Sequence, residues 1–232
     1  MAYLDLCGTK FIYSKFELAH QIEWISGIIH TVREDMDNMF ADKINSVYFH
    51  MFSDSFVMAE KERKVIENSA EKFLNFMLKI QYDILLNSER DIPTLSRAMI
   101  KRGEYYGMIL SESQTTEKAF MNFSIVGGST VVEMDESLKG LPMGVYIDDS
   151  ITGELRLDKN RLIDVDGSPL KFVKPSQDSD FMRSVFSLDK GIEDWGKRLI
   201  NFSDNNPEFK TKLIPWIDAI LGRRRSIGKR QI

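Results

Sequence analysis

Two aspartates occupy positions where a carboxylate is unusual in a folded protein. Asp5 interrupts an apolar stretch that runs from Tyr3 to Cys7, and Asp54 lies in a polar turn between two apolar stretches, 47–52 and 55–59. A carboxylate within a buried strand costs free energy unless a positive group meets it. If the two strands are neighbours, both carboxylates can converge on one hard cation or on a pair of them. The pattern indicates Mg²⁺ or Mn²⁺ beside a triphosphate.

A purely structural interpretation competes with this one. Asp5 could cap a turn, and Asp54 could be an ordinary hairpin aspartate. A zinc site is disfavoured because the three histidines show no ligand spacing and Cys7 is the single cysteine. A lone cysteine also cannot form a disulfide within the chain.

The remaining pattern predicts the elements that would position these aspartates. A first strand opens into a turn at Cys7-Gly8-Thr9, and a capping box, Ser14 to Glu17, begins a long helix over 14–38. A hairpin follows at 47–59, and Asp166-Gly167 marks another one. Further helices are predicted over 60–86 and 130–138, and further strands within 95–110 and at 145–147. The predicted order is β-α-β-β-α-β-β-α-β, then a hairpin.

The C-terminal quarter reads as helical, with a last helix around 213–221 and no accompanying strand. Its basic tail, Arg223 to Arg230, is predicted to be a solvated extension, with binding of phosphate or of an acidic partner as the minority interpretation. We therefore expect a catalytic domain over 1–175 and a C-terminal helical extension with a basic tail over 176–232.

Composition narrows the class of protein. The chain has 232 residues, of which 43% are hydrophobic and 28% charged, values typical of a folded globular protein. Its 31 basic and 35 acidic residues give a net charge of −4, which argues against a dedicated nucleic-acid binder. The N-terminus lacks the features of a signal peptide, and no apolar stretch approaches the ~20 residues that span a bilayer. The sequence thus predicts a cytoplasmic protein without direct membrane contact.

Four short motifs carry a family resemblance. Tyr3 to Thr9 resembles the first metal-binding motif of class III nucleotidyl cyclases, and Phe52 to Phe56 resembles the second. Lys101 to Gly107 is similar to the glycine-spaced strand pair of that family, and Ile125 to Val131 to its glycine entry to the third helix. The resemblance covers about residues 1–175. It implies an α+β class III cyclase fold with a ferredoxin-like βαββαβ core, here followed by a C-terminal helical extension.

Departures from the family pattern refine the expected substrate. The third helix, Val131 to Glu136, supplies neither the asparagine nor the arginine of adenylyl and guanylyl cyclases, and His50 replaces the purine-reading lysine. The short length, the hairpin from Phe52 to Ser55, the altered third helix and the extra C-terminal helices are similar to the pyrimidine cyclases of Pycsar anti-phage systems of bacteria. The resemblance implies conversion of UTP to cyclic UMP and pyrophosphate, with the product activating a separate effector. UTP is preferred because uridylate cyclases are the commoner in that group.

Three alternatives remain at this point. A cytidylate cyclase would differ only in the base that it recognises. A catalytically silent cyclase-homology domain could bind a nucleotide as a regulatory module, and the missing helix residues would be its signature. A helix-rich interaction protein with incidental aspartates is the third.

The resemblance also assigns roles. Asp5 and Asp54 would bind two Mn²⁺ or Mg²⁺ ions and carry catalysis, and the Leu6 carbonyl would complete one coordination shell. A homodimer is implied, because the family forms its active site between two catalytic domains.

The residues themselves suggest nucleotide contacts. Backbone amides of Cys7, Gly8 and Thr9 precede a helix and can cradle phosphate oxygens, and Gly8 permits close approach. His50 and Phe52 share a strand face with Asp54 and are candidates for contacting the base, although core or dimer packing explains them equally well. The candidate phosphate clamps are Lys10, Arg102, Lys139 and Lys171.

Overall fold

The structure is a computed structural model, and it describes residues 1–52, 54–61, 68–86, 94–112, 121–176, 201, 204–220, 223 and 226–228. The strands are β1 (Ala2–Cys7), β2 (Val47–Phe52), β3 (Ser55–Glu60), β4 (Leu95–Ile100), β5 (Tyr106–Glu112), β6 (Met121–Gly127), β7 (Gly144–Asp148), β8 (Leu162–Val165), β9 (Leu170–Val173) and β10 (Ser226–Ile227). The helices are α1 (Thr9–Lys15), α2 (Leu18–Phe40), α3 (Ser69–Leu86), α4 (Ser129–Leu138) and α5 (Pro207–Ile220).

One mixed sheet organises the described part of the chain. Its strand order is β10-β8-β9-β7-β4-β1-β3-β2, and β5 and β6 form a separate two-stranded ribbon. The segment β4-β1-β3-β2 is antiparallel throughout, with two of its connections made by helices. This is the ferredoxin-like βαββαβ arrangement that the resemblance implied.

Alternating side chains of β1 divide the core into two clusters, one on each face of the sheet. Leu4 and Leu6 pack in the cluster that includes α2 and α3. Tyr3 and Cys7 pack in the other cluster, with α4 and α5. Asp5 has the same parity as Tyr3 and Cys7, so it belongs to the face covered by α4 and α5.

The long helix expected over 14–38 is two helices, and the predicted capping box is wrong. The backbone is extended at Phe16 and Glu17, between α1 and α2. The Ser14 hydroxyl donates back to the Phe11 carbonyl at 3.0 Å instead of capping a helix, and the Gln21 amide donates to the Phe16 carbonyl at 2.7 Å. These side-chain bonds end α1 after two turns.

The boundaries of other strands and helices also differ from the predicted ones. Strand β3 continues to Glu60, where a helix was expected to begin, and α3 is described from Ser69. The hairpins on either side of Asp54 and at Asp166-Gly167 are confirmed. Strand β6 was not predicted. The helices that are described include none long and apolar enough to cross a lipid bilayer.

The C-terminal part departs most from expectation. The helical pattern predicted within 181–200 lies outside the described residues, and the last helix begins at Pro207. A strand does accompany it, because Ser226 and Ile227 pair in parallel with β8 and Ile227 is fully buried. This pairing corrects the expectation of a wholly solvated tail. The division at residue 175 stays a prediction.

Candidate active site

The structure brings Asp5 and Asp54 together, as adjacency of their strands predicted. β1 pairs with β3 so that Asp5 lies opposite Ser55, and the Leu6 amide donates to the Asp54 carbonyl at 2.9 Å. Both aspartates line one pocket of about 580 Å³. This cross-strand register places two carboxylates at the same wall of the pocket.

Arg97 of β4 compensates the charge of Asp5. The two residues lie opposite each other in the β1–β4 register, and a guanidinium nitrogen of Arg97 contacts an Asp5 carboxylate oxygen. Their side chains are 15% and 14% exposed. The other terminal nitrogen donates to the Leu138 carbonyl at 2.8 Å, at the C-terminal end of α4. Burial raises the pKa of the Asp5 carboxyl, and the Arg97 charge offsets part of that rise.

Asp54 is held from the other side by the turn that follows β1. The Thr9 hydroxyl donates to an Asp54 carboxylate oxygen at 2.6 Å. Gly8 precedes Thr9 with φ of 86°, in the left-handed region that L side chains rarely adopt. The turn therefore connects β1 to α1 while keeping the Thr9 hydroxyl on Asp54.

We expect Gly8→Ala to destabilise the protein and to disturb the pocket. An alanine Cβ would lie 2.7 Å from the Phe209 ring of α5, and the left-handed backbone would cost a further ~1–2 kcal/mol. Thermal unfolding measures the loss of stability. Gly153→Ala is the matched control because a Cβ there meets nothing within 4 Å. Equal midpoints for the two variants would contradict this account of the turn.

The pocket carries an excess of positive charge. Among the described residues, Arg97, Lys10, Lys15 and Lys212 line it, against Asp5 and Asp54. These cations favour an anionic ligand. The N-terminal end of α1 adds less, because that helix has only seven residues. Cys7, Gly8 and Thr9 also line the pocket, which agrees with the place expected for phosphate contacts.

Asp5 and Asp54 can supply part of the ligands of a hard cation, which leaves its other coordination positions to water or substrate. Among the described residues, no group of three or more His, Cys, Asp or Glu side chains is arranged to hold a metal ion. Mg²⁺ is commonly bound by one or two carboxylates together with water and substrate phosphates. The two aspartates, with the Leu6 backbone beside them in the pocket, therefore fit Mg²⁺ or Mn²⁺ bound together with a polyphosphate.

Among the described side chains, His50 does not line this pocket. His50 is buried beside Tyr48 and Tyr105, with ring centroids 6.3 and 6.0 Å away, and burial lowers its pKa. The Phe52 backbone ends β2 next to the turn of Asp54, and its side chain lies outside the described part of the structure. Their contact with a base stays a prediction.

Three candidate phosphate clamps pair with surface carboxylates. Arg102 contacts Glu154 at 2.7 Å, Lys139 contacts Glu136 at 2.5 Å and Lys171 contacts Asp164 at 2.7 Å. None of the three lines the pocket. A role for Arg102 in nucleotide binding would require a change of partner or a second subunit.

Helix α4 carries a carboxylate, Asp135, in the region where the resembled family has an asparagine and an arginine. The buried Tyr3 hydroxyl lies 3.1 Å from the Ser55 hydroxyl and donates to Asp135 at 3.0 Å. The negative charges of Asp54 and Asp135 both favour the neutral form of Asp5.

Cys7 is fully buried, and burial raises the pKa of its thiol, so the cysteine is a packing residue.

Arg97, Lys15 and Lys212 were missed at the sequence level. Arg97 had a detectable signal, because it interrupts the apolar strand Leu95–Ile100 as Asp5 interrupts β1. Lys212 had none, because its place depends on how α5 packs against the turn at Gly8.

Comparison with known proteins gives the fold. No family model matches the sequence, and no curated protein matches it. Among solved structures, the adenylyl cyclase CyaB from P. aeruginosa is 10% identical with a TM-score of 0.52, over 77% of this chain and 94% of that one. The guanylate cyclase domain of RhGC from Catenaria anguillulae in complex with GTP is 13% identical with a TM-score of 0.49, over 70% and 82%. The chain has the fold of class III nucleotidyl cyclase domains.

Proposed function

We propose that this protein is a metal-dependent nucleotidyl cyclase. The observation that carries the proposal is the joint position of Asp5 and Asp54 in one cation-lined pocket of this fold. Cyclisation requires the ribose 3′-hydroxyl to attack the α-phosphorus while pyrophosphate leaves. Two divalent ions, when bound, would activate that hydroxyl and neutralise the developing charge.

The side chains have separable tasks in this proposal. Asp5 and Asp54 hold the ions, with the Leu6 carbonyl as a further ligand. Lys10 and the backbone of the turn at Gly8 bind the polyphosphate, which fixes the direction of the leaving group. Thr9 keeps the Asp54 carboxylate oriented through its hydroxyl. Arg97 stabilises the ionised form of Asp5 before ions and substrate arrive.

The proposed substrate is UTP, converted to cyclic UMP in a bacterial anti-phage system in which the product activates a separate effector. Its support is the resemblance of the motifs and the absence of the purine-cyclase residues from α4 and from position 50. CTP is the alternative substrate. His50 and Phe52 remain the proposed contacts to the base.

We also propose a homodimer. Val132 on α4 and Tyr106 at the start of β5 are apolar side chains that are 62% and 69% exposed, and a second subunit would cover them. Light scattering coupled to size exclusion is expected to give the mass of two chains. A Val132→Glu variant should shift the mass towards one chain, and an unchanged dimer would remove α4 from the interface.

The function is tested by incubating the purified protein with ATP, GTP, CTP or UTP and Mn²⁺, followed by mass analysis of the products. Cyclic UMP formed by the protein and not by Asp54→Asn is the expected result. Cyclic CMP alone would select the alternative substrate. No product, together with no nucleotide-dependent Mn²⁺ binding, would contradict the proposal.

A silent nucleotide-binding domain is the second candidate function, and one contact favours it. Arg97 already provides the positive group that a buried Asp5 requires, so the carboxylate has a structural reason to exist without metal. Nucleotide binding without turnover of any of the four nucleotides would support this candidate.

A further inference from the structure

The C-terminal helix α5 contributes a residue, Lys212, to the lining of the pocket that contains Asp5 and Asp54. Lys212 lines this pocket together with both aspartates and Arg97. It lies more than 150 positions after Asp54 in the chain, beyond the segment that resembles cyclases. A residue outside the βαββαβ core therefore contributes to the lining of the pocket of the proposed cyclase.

The position of Lys212 follows from the buried face of α5. Phe209, Leu213 and Trp216 are each at most 2% exposed, with the spacing of one helical face. Lys212 lies one turn after Phe209 and is partly buried. Because Cα–Cβ bonds tilt towards the helix N-terminus, a side chain at 212 extends back along the Phe209 side.

Contacts at the start of α5 fasten this face to the turn at Gly8. The Phe209 and Phe11 rings meet edge to face with centroids 5.3 Å apart. The Met143 amide donates to the Lys212 carbonyl at 3.1 Å, which anchors the backbone of residue 212 itself. Gly8 has no Cβ, and this leaves space for the Phe209 ring, which a Cβ there would approach to 2.7 Å. These contacts hold the backbone of Lys212 beside the pocket that the residue lines.

The charges around Lys212 distinguish it from its neighbour on the same helix. Lys210 is exposed and pairs with Asp204 at 2.7 Å. Lys212 is instead one of four cationic residues that line the pocket with two acidic ones, among the residues that the structure describes. An excess of cations beside a pair of metal-binding carboxylates suits a ligand with several negative charges, such as a polyphosphate.

We infer that Lys212 binds the polyphosphate of the substrate, so that the C-terminal helix supplies a substrate-binding residue to the pocket of its own chain. The inference rests on the proposed function for the identity of the substrate. It makes α5 part of the site, and it predicts that the charge at 212 affects polyphosphate affinity more than fold stability.

The test measures binding of magnesium tripolyphosphate to the full chain by titration calorimetry. Lys212→Met, which removes the charge and keeps an unbranched stem, should weaken binding about 10- to 100-fold. Lys212→Arg should retain most of the affinity. Lys210→Met, two positions earlier, should bind as the unmutated protein does, and circular dichroism should show the same thermal midpoint for all variants.

Two outcomes would overturn the inference: no binding of tripolyphosphate by the unmutated protein, or equal affinity with Lys212→Met. If Lys212→Met fails to fold, weaker binding by a folded Lys212→Gln supports the inference and unchanged binding overturns it. The readout requires no turnover. If no nucleotide is cyclised but tripolyphosphate binding still depends on Lys212, the proposed function fails and the assignment of Lys212 stands.

Discussion

Asp54→Asn is expected to lower turnover at least about 1,000-fold while leaving the fold intact. Asparagine keeps the size of the side chain and can still accept the Thr9 hydroxyl, which now donates to an Asp54 carboxylate oxygen at 2.6 Å. What it loses is the negative charge that attracts divalent ions. Initial rates of product formation with saturating Mn²⁺ measure the loss, and thermal unfolding checks the fold.

Asp5→Asn should lose the same activity but also stability, and the difference between the two variants is diagnostic. Its partner Arg97 is only 15% exposed, so an uncharged residue 5 leaves a largely buried guanidinium without its counter-charge. Breaking such a pair costs on the order of 3 kcal/mol in the free energy of unfolding. Within the described part of the chain, Asp54 makes no comparable ion pair, and its variant should unfold near the parental midpoint.

Asp164→Asn is the control for both substitutions. Asp164 is 73% exposed and pairs with Lys171 on the surface, so we expect parental rates and a change in stability below ~1 kcal/mol. An Asp54→Asn enzyme that retains near-parental turnover would remove this residue from the catalytic site. Parental stability of Asp5→Asn would show that Arg97 does not depend on it.

Much of the site could be predicted because it depends on strand pairing. The alternation of β1 and the polar turn before β3 indicate which residues meet, and the structure confirms that Asp5 lies opposite Ser55, next to Asp54. The ferredoxin-like order β4-β1-β3-β2 was expected from the family resemblance, and the sheet has it. These features are local in sequence or follow from general connection rules.

Features decided by tertiary packing could not be predicted. One local feature was missed as well: Ser14 and Glu17 match a capping box, yet the backbone is extended between α1 and α2, where the Gln21 amide donates to the Phe16 carbonyl. Lys212 lines the pocket because α5 packs against the turn at Gly8, a contact between residues about 200 positions apart. The pairing of Ser226 and Ile227 with β8 is a contact between residues about 60 positions apart, in a stretch whose composition suggested a solvated tail.

Arg97→Gln is expected to destabilise the protein in the absence of metal, and Mn²⁺ should restore much of the loss. Without the guanidinium, the buried Asp5 carboxylate lacks its ion partner, at a cost of about 3 kcal/mol. A divalent ion at Asp5 and Asp54 would supply the missing positive charge. Because an ion that binds only the folded state stabilises it, the variant's thermal midpoint should rise with added Mn²⁺.

The unmutated protein should respond to Mn²⁺ less strongly, because Arg97 already occupies one face of the Asp5 carboxylate. The comparison therefore separates two roles for the buried aspartate. A purely structural carboxylate, paired with Arg97 and with no affinity for metal, would leave Arg97→Gln destabilised at every Mn²⁺ concentration. If Asp5 binds metal, Mn²⁺ should raise the thermal midpoint of Arg97→Gln more than that of the unmutated protein. It should not raise the midpoint of the double variant that combines Asp54→Asn with Arg97→Gln. Arg223→Gln, at a position 69% exposed, controls for the loss of an arginine and should match the unmutated protein throughout.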